Sequence, residues 1–170
     1  MSSVEIISFN ENHWQNRWND IKRIYEEGIT TGMATFETKS PSWEEWNKKY
    51  LQICRLAAVS DNEICGWTAL SPVSSREVYK GVCDEAIYVS EKHRGKGIGK
   101  LLLQALIKES EANGIWTLQA GIFCDNKSSI TLHLKNGFRI VGTREKIGQL
   151  NGKWKDTILL ERRSKIINYI

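Results

Sequence analysis

A run of alternate glycines, Arg94-Gly95-Lys96-Gly97-Ile98-Gly99, lies between the strand-like Ala86-Ile87-Tyr88-Val89 and a segment with an apolar helical stripe. A strand, a glycine turn and a helix in succession open a layered α/β unit. Without Cβ atoms the turn lets the backbone close on a ligand. The helix that follows points unpaired N–H groups, and the positive end of its dipole, back at the loop. His93, Arg94, Lys96 and Lys100 add charge of the same sign. The run reads as a cradle for phosphate or diphosphate, against the plainer reading of a glycine-rich turn with solvated lysines.

Spacing excludes two common phosphate loops. No G-x-x-x-x-G-K-[ST] run occurs, and G-x-G-x-G stands where a dinucleotide fingerprint needs G-x-G-x-x-G. The pattern that is met is [QR]-x-x-G-x-[GA], by Arg94, Gly97 and Gly99. It resembles the diphosphate loop of the GCN5-related N-acetyltransferases, which bind acetyl-CoA.

A chain of 170 residues fits one domain, residues 1–170, with a single core. No apolar run approaches the roughly 20 residues of a membrane span, and the first ten residues carry no signal-peptide core. The expectation is a cytoplasmic protein without membrane contact. A net charge of +4 suits an anionic ligand. Basic residues interleaved with acids do not make a nucleic-acid footprint. Cys54, Cys65, Cys83 and Cys124 lie far apart with no C-x-x-C pair, which predicts small buried hydrophobes in a reducing compartment and no metal site. The seven tryptophans read mostly as packing residues, with some available to a substrate cleft.

Periodicity and turn chemistry predict the elements. Val4 to Phe9 reads as a strand and His13 to Gly28 as one helix. Ser42 ahead of Glu45 forms a capping box for a helix running to about Leu51. Arg55 to Val59 and Glu63 to Leu70 form a hairpin, followed by an irregular 71–81 and the strand Val82 to Val89. The next helix carries Ile98, Leu101, Leu102, Ala105 and Leu106 on one face and ends near Gly114. A strand from Trp116 to Phe123, a helix through Lys135, and a hairpin of Phe138 to Ile147 with Lys153 to Glu161 around Asn151-Gly152 complete the chain. The order implies an α/β (α+β) domain, a mixed central sheet flanked by helices. It is the element order of the acyl-CoA N-acyltransferase (GNAT) fold.

A second motif, Asn126-Lys127-Ser128-Ser129-Ile130-Thr131-Leu132-His133 through Gly137-Phe138, resembles the N-x-x-S-I-x-L-H-x-x-x-G-F segment of the phosphinothricin acetyltransferase-like branch of that family. Thr31-Gly32-Met33-Ala34-Thr35-Phe36 resembles its T-G-x-A-T-F, Arg76 to Tyr79 its arginine-to-tyrosine stretch, and Gly148 to Asp156 its closing G-x-x-x-G-x-W-x-D. The resemblance spans nearly the whole chain in order.

It implies direct transfer of acetyl from acetyl-CoA to the primary amine of a small amino-acid-like acceptor. The diphosphate then rests on Gly95 to Lys100, and the main chain of Ile87, Tyr88 and Val89 pairs with pantetheine as an added strand would. Asn126 is the branch's side-chain contact to CoA. Lys135 falls at another, or is a solvated helix lysine. The branch's base is a glutamate five residues before the last valine of V-Y-V; this chain has Asp84 there and Glu85 beside it. Alternation puts the two on opposite faces, Asp84 being favoured by position and Glu85 by a local bulge. His133 stands where many members have a tyrosine proposed as general acid, while His13 and His93 read as surface residues. Phe36, Arg76 and Tyr79 are the acceptor-side candidates, the arginine for a carboxylate.

Members of the branch commonly form homodimers. The other readings are a protein N-terminal or polyamine acetyltransferase, a non-catalytic acyl-CoA sensor and, last, a nucleic-acid-binding module.

Overall fold

The computed structural model describes residues 3–167. Seven strands form one sheet in the order β1-β2-β3-β4-β5-β7-β6. They are β1 Glu5–Ser8, β2 Leu56–Ser60, β3 Glu63–Pro72, β4 Val82–Val89, β5 Thr117–Phe123, β6 Arg139–Leu150 and β7 Lys153–Arg163. Helices α1 Glu11–Asn16, α2 Trp18–Thr30 and α3 Trp43–Lys49 pack on one face; α4 Ile98–Ala112 and α5 Lys127–Lys135 pack on the other. The mixed sheet flanked by helices is the architecture the element order predicts.

Both predicted hairpins form. Asp61 and Asn62 turn at φ 50° and 62°, Asn151 and Gly152 at φ 50° and 76°. Two positive φ values in succession are what asparagine, aspartate and glycine supply in a tight hairpin. Ser42 and Glu45 close the capping box of α3 from both sides.

Two expectations need correction. The single helix over 13–28 is two, because the backbone leaves the helix at Arg17 (φ −101°, ψ 11°). There the side chain bonds Asp20 and the Asn62 carbonyl. The buried stripe of α4 is rotated from the predicted one: Leu103 is fully buried, whereas Leu101 is 41% exposed. A helix lying across a sheet buries the residues beneath its axis, and only the packing angle decides which of two adjacent rows that is.

The α1–α3 face holds the aromatic core. Around Trp46 stand the rings of Trp14, Trp18, Trp43, Tyr50 and Trp67, with centroids 5.1–5.8 Å away. Arg55, 1% exposed, lays its guanidinium 4.8 Å from the Trp46 ring centre. It donates to the carbonyls of Leu51, Asn47 and Tyr50 and to the Asn47 side chain at 2.6–2.9 Å. Cys54, Cys65 and Cys83 are buried and Cys124 partly so, all as free thiols. Burial pushes Cys54 up to about 12 and Cys83 up to about 11, so both behave as small hydrophobes.

The feature that positions the site is a parting of the two central strands. β4 pairs with β3 along its length, from Pro72↔Cys83 to Gly66↔Val89. On its other side it pairs in parallel with β5 only at Val82, Cys83 and Asp84. From there β5 follows β7, and β4 presents an open edge from Glu85 to Val89. Main-chain groups left without a ladder partner need another one.

Candidate active site

A cleft of about 430 Å³ runs along that open edge. Its floor is Glu85 to Val89. One wall is the start of α5 with Gly121 and Ile122 of β5; the other is the end of α2 and the loop after it, including Met33 and Ala34. Arg94, Gly95, Gly97, Ile98 and Gly99 close one end. Among the described residues no tryptophan lines it.

Gly95 and Gly97 sit at φ +74° and +82°, with open space where a Cβ would stand. The glycine requirement is therefore conformational: side chains other than glycine resist this region. Gly97 begins α4 with no side-chain cap, so the first N–H groups of the helix are left for a ligand. Arg94 bonds back to the Val89 carbonyl at 3.3 Å. Lys96 and Lys100 are exposed beside the loop and do not line the cleft.

His93 does more than the surface reading allows. It is partly buried in the cleft wall, with Nδ1 2.6 Å from the buried Ser90 hydroxyl and Nε2 3.6 Å from the Cys65 sulfur. The sequence signal was its place against the glycine run.

The β3–β4 register is unbroken, so no bulge re-aims the two acids. Asp84 shares a face with Ala86 and Tyr88, towards α2, while Glu85 shares one with Cys83 and Ile87, towards α5. Asp84 is partly buried outside the cleft lining and accepts a hydrogen bond from Gln119 Nε2 at 3.0 Å. Burial pushes its carboxyl above the usual range; the Gln119 bond pulls the other way and the Glu85 charge adds to the rise.

Glu85 meets His133 in the cleft wall, Oε1 to Nε2 at 2.8 Å, with side chains only 6% and 3% exposed. His133 Nδ1 lies 2.7 Å from the Ser129 carbonyl, and the ring stands edge-on to Phe138 at 4.9 Å. Burial works to lower the imidazole pKa, but the Glu85 charge and hydrogen bond, with the Ser129 carbonyl, carry it above the ordinary value.

Asn126 lines the cleft and has two local tasks. It caps α5 by accepting from Ser129 N, and it donates to the Met33 carbonyl at 3.2 Å, tying the loop after α2 to α5. Lys135 is exposed at the far end of α5, away from the cleft. Phe36 packs edge-on to Phe123 at 4.7 Å, and a Cβ at Gly148 would meet its ring at 2.9 Å. The loop of residues 31–40 is thus pinned against β5 and β6. Arg76 lies over the Tyr79 ring at 5.4 Å; both are exposed ahead of β4 and outside the cleft lining.

Among the described residues no group of three or more His, Cys, Asp or Glu side chains is placed to hold a metal ion, and no helix is long and apolar enough to cross a membrane. What the cleft offers is an open strand edge, a glycine cradle before a helix N-terminus, and a carboxylate–imidazole pair.

Comparison with known proteins agrees with this arrangement. The chain is 34% identical over 106 residues to the L-methionine sulfoximine/L-methionine sulfone acetyltransferase of Pseudomonas paraeruginosa, covering 62% of each chain. It thus spans 62% of that relative's length. It is 28% identical over 149 residues to the phosphinothricin N-acetyltransferase of Alcaligenes faecalis, covering 84% of this chain and 75% of that one. A GNAT phosphinothricin acetyltransferase from Sinorhizobium meliloti, solved in complex with acetyl-CoA, superposes with a TM-score of 0.82 at 27% identity, covering 99% and 97% of the two chains. The profile of the acetyltransferase (GNAT) family matches residues 14–138. With the parted strands and the glycine cradle in place, the chain belongs to the acetyltransferase (GNAT) family.

Proposed function

We propose that the protein transfers the acetyl group of acetyl-CoA to the primary amine of a small amino-acid-like acceptor of the methionine sulfoximine or phosphinothricin type. The observation that carries this reading is the open β4 edge running into the glycine cradle. The edge offers main-chain donors and acceptors to the amides of a pantetheine arm. The cradle offers N–H groups and positive charge to a diphosphate. When bound, acetyl-CoA supplies the acetyl group as a thioester.

The chain's own groups divide the work. The main chain of Ile87, Tyr88 and Val89 holds the arm, and the backbone of Gly95 to Lys100, helped by Arg94, holds the diphosphate. Asp84 takes the proton of the attacking amine, a role suited by a carboxyl pushed upward. His133, kept protonated beside Glu85, serves as the acid. Asn126 shapes the cleft by fixing the Met33 carbonyl. Phe36, Arg76 and Tyr79 are proposed for the acceptor side, Arg76 forking onto a carboxylate.

A panel of acceptors tests the substrate class. With acetyl-CoA, turnover is expected for methionine sulfoximine, methionine sulfone and phosphinothricin. It should fall at least tenfold for their decarboxylated amines, spermidine or a short peptide. A preference for spermidine or the peptide would replace this reading with a polyamine or protein acetyltransferase. Tight CoA binding without turnover would favour an acyl-CoA sensor.

Two further outcomes follow. Gly97→Val forces a branched side chain into a left-handed conformation at a cost of about 1–2 kcal/mol. It should raise the KM for acetyl-CoA on the order of tenfold with kcat less affected, as initial rates will show. The pH profile of kcat should be bell-shaped. Its acid limb lies above the ordinary carboxylate range because Asp84 must lose a proton that burial retains, and its alkaline limb lies above the ordinary histidine value because His133 must keep one.

The proposal includes a homodimer. Strand β6 is a sheet edge carrying exposed Ile140, Val141 and Ile147, with Trp154 of β7 57% exposed nearby. Apolar side chains on an unpaired edge favour burial against a second copy. Sedimentation at micromolar concentration should give the mass of two chains.

A further inference from the structure

We propose that Glu85 and His133 act as a dyad holding a single shared proton, and that this proton is delivered to the sulfur that leaves when the amine takes the acetyl group. Glu85 is then a positioning residue for the acid. This deepens the acetyl-transfer reading and rests on it. It also separates Glu85 from the role of base, which is left to Asp84.

The hydrogen-bond partners of His133 fix where its protons lie. His133 Nδ1 faces the Ser129 carbonyl at 2.7 Å. A carbonyl only accepts, so Nδ1 carries a hydrogen. The other ring nitrogen, Nε2, faces Glu85 Oε1 at 2.8 Å. A bare nitrogen lone pair against a carboxylate oxygen would be repulsive, so one proton lies between them, on the ring or on the acid. The pair is 6% and 3% exposed, so water does not supply an alternative donor. A ring whose two nitrogens both carry hydrogen bonds of this kind cannot accept a proton from an amine. It can only give one. Burial favours the neutral ring, but the Glu85 carboxylate and the Ser129 carbonyl outweigh it and move the balance towards the charged ring.

The second oxygen of Glu85 is buried with no hydrogen-bond partner. Such an atom is costly unless something donates to it. Both residues line the cleft, so a donor arriving there, such as a newly formed thiol S–H, meets a waiting acceptor. The other titratable groups whose charge acts with Glu85 are Asp84 on the opposite face of β4 and the Tyr50 phenol after α3. Elsewhere the cleft is lined by Gly121 and Ile122 of β5, Ile98 and Gly99 of α4, and Ser129 and Leu132 of α5, with His93 and Arg94 the titratable groups at its loop end.

The step balances. The amine nitrogen–carbon bond forms and the carbon–sulfur bond breaks, its electron pair leaving with sulfur. The amine's proton goes to Asp84 and the dyad's proton goes to sulfur, giving the thiol. Asp84 then returns a proton to solvent and the dyad regains one. Until it does, a bare Nε2 faces the Glu85 carboxylate, which drives the reloading.

The test combines ring titration with kinetics. In protein labelled with nitrogen-15 at histidine, His133 is assigned by its loss in His133→Asn. In the wild type it should stay doubly protonated a full pH unit above the ~6.5 at which a free imidazole loses its proton. In Glu85→Gln the amide keeps the shape and can donate to Nε2, so the ring should become singly protonated at neutral pH while the fold and the CoA dissociation constant are retained. There kcat should fall by about 10²-fold, the lower end of what an acid contributes, and the alkaline limb of the pH profile should move down.

A wild-type His133 that loses its second proton at or below the ~6.5 of a free imidazole overturns the dyad, whether or not the enzyme turns over. A Glu85→Gln protein with a neutral ring and a kcat within twofold of wild type overturns the proton's use in catalysis. If Glu85→Gln does not fold, the wild-type titration decides the dyad by itself. A wild type with a shared proton and no activity on any amine would sink the acetyl-transfer reading, and with it the delivery step, leaving the dyad as a buried structural pair.

Discussion

Asp84→Asn is expected to lower kcat by about 10²–10⁴-fold, the usual worth of a general base, with little change in the KM for acetyl-CoA. The reasons are positional. Asp84 lies just where β4 parts from β5, at the last paired position, opposite Gln119. It faces away from the cleft proposed to hold acetyl-CoA, so its removal should spare that binding. Asparagine is near its equal in shape and keeps an oxygen for the Gln119 donor, now 3.0 Å from the carboxylate. Loss of rate therefore reports the lost proton acceptor and not a lost fold. Initial rates against each substrate measure it. An Asp84→Asn enzyme with near wild-type kcat would assign the base elsewhere, with Glu85 the first to try.

Arg55→Met is expected to cost on the order of 3–5 kcal/mol of stability. The guanidinium serves three carbonyls and an amide oxygen beneath the aromatic core. Each buried acceptor left without a donor costs about 1–3 kcal/mol, and methionine fills the space without supplying one. The segment it organises is the last turn of α3, with Asn47, and the connection to β2, with Tyr50 and Leu51. Denaturant unfolding of both proteins gives the difference directly. A change below 1 kcal/mol would mean that water reaches these carbonyls, contrary to an Arg55 that is 1% exposed.

Local chemistry in the sequence carried most of the fold. The turns at Asp61-Asn62 and Asn151-Gly152, the Ser42–Glu45 capping box and the strand-to-helix glycine run each specify their own geometry through adjacent residues. That is why they were legible. The break at Arg17 was not, because periodic tryptophans continue across it and the competing bonds come from Asp20 and from Asn62, far along the chain. The row of α4 that is buried, with Leu103 in and Leu101 out, depends on the angle at which the helix meets the sheet.

The site divides in the same way. The cradle residues could be named from spacing, and His133 and Asn126 from a motif. The contact of His133 with Glu85 joins residues 48 apart in sequence, and no local pattern announces it. The parting of β4 from β5 is likewise a property of two strands and not of either alone. Phe36 and Gly148 show motifs whose meaning lies in each other: the glycine is where the ring needs room. Arg76 and Tyr79 stand exposed ahead of β4 and outside the cleft lining, so the structure itself does not gather them with the other site residues.

The most direct single measurement is the initial rate of free thiol release from acetyl-CoA, with and without methionine sulfoximine, alongside the amount of N-acetylated product. Saturable, amine-dependent release with one acetylated amine formed for each thiol is the predicted result. Release that ignores every amine, or none at all from protein that binds CoA in the cleft, would contradict an acetyltransferase acting on small amino-acid-like amines.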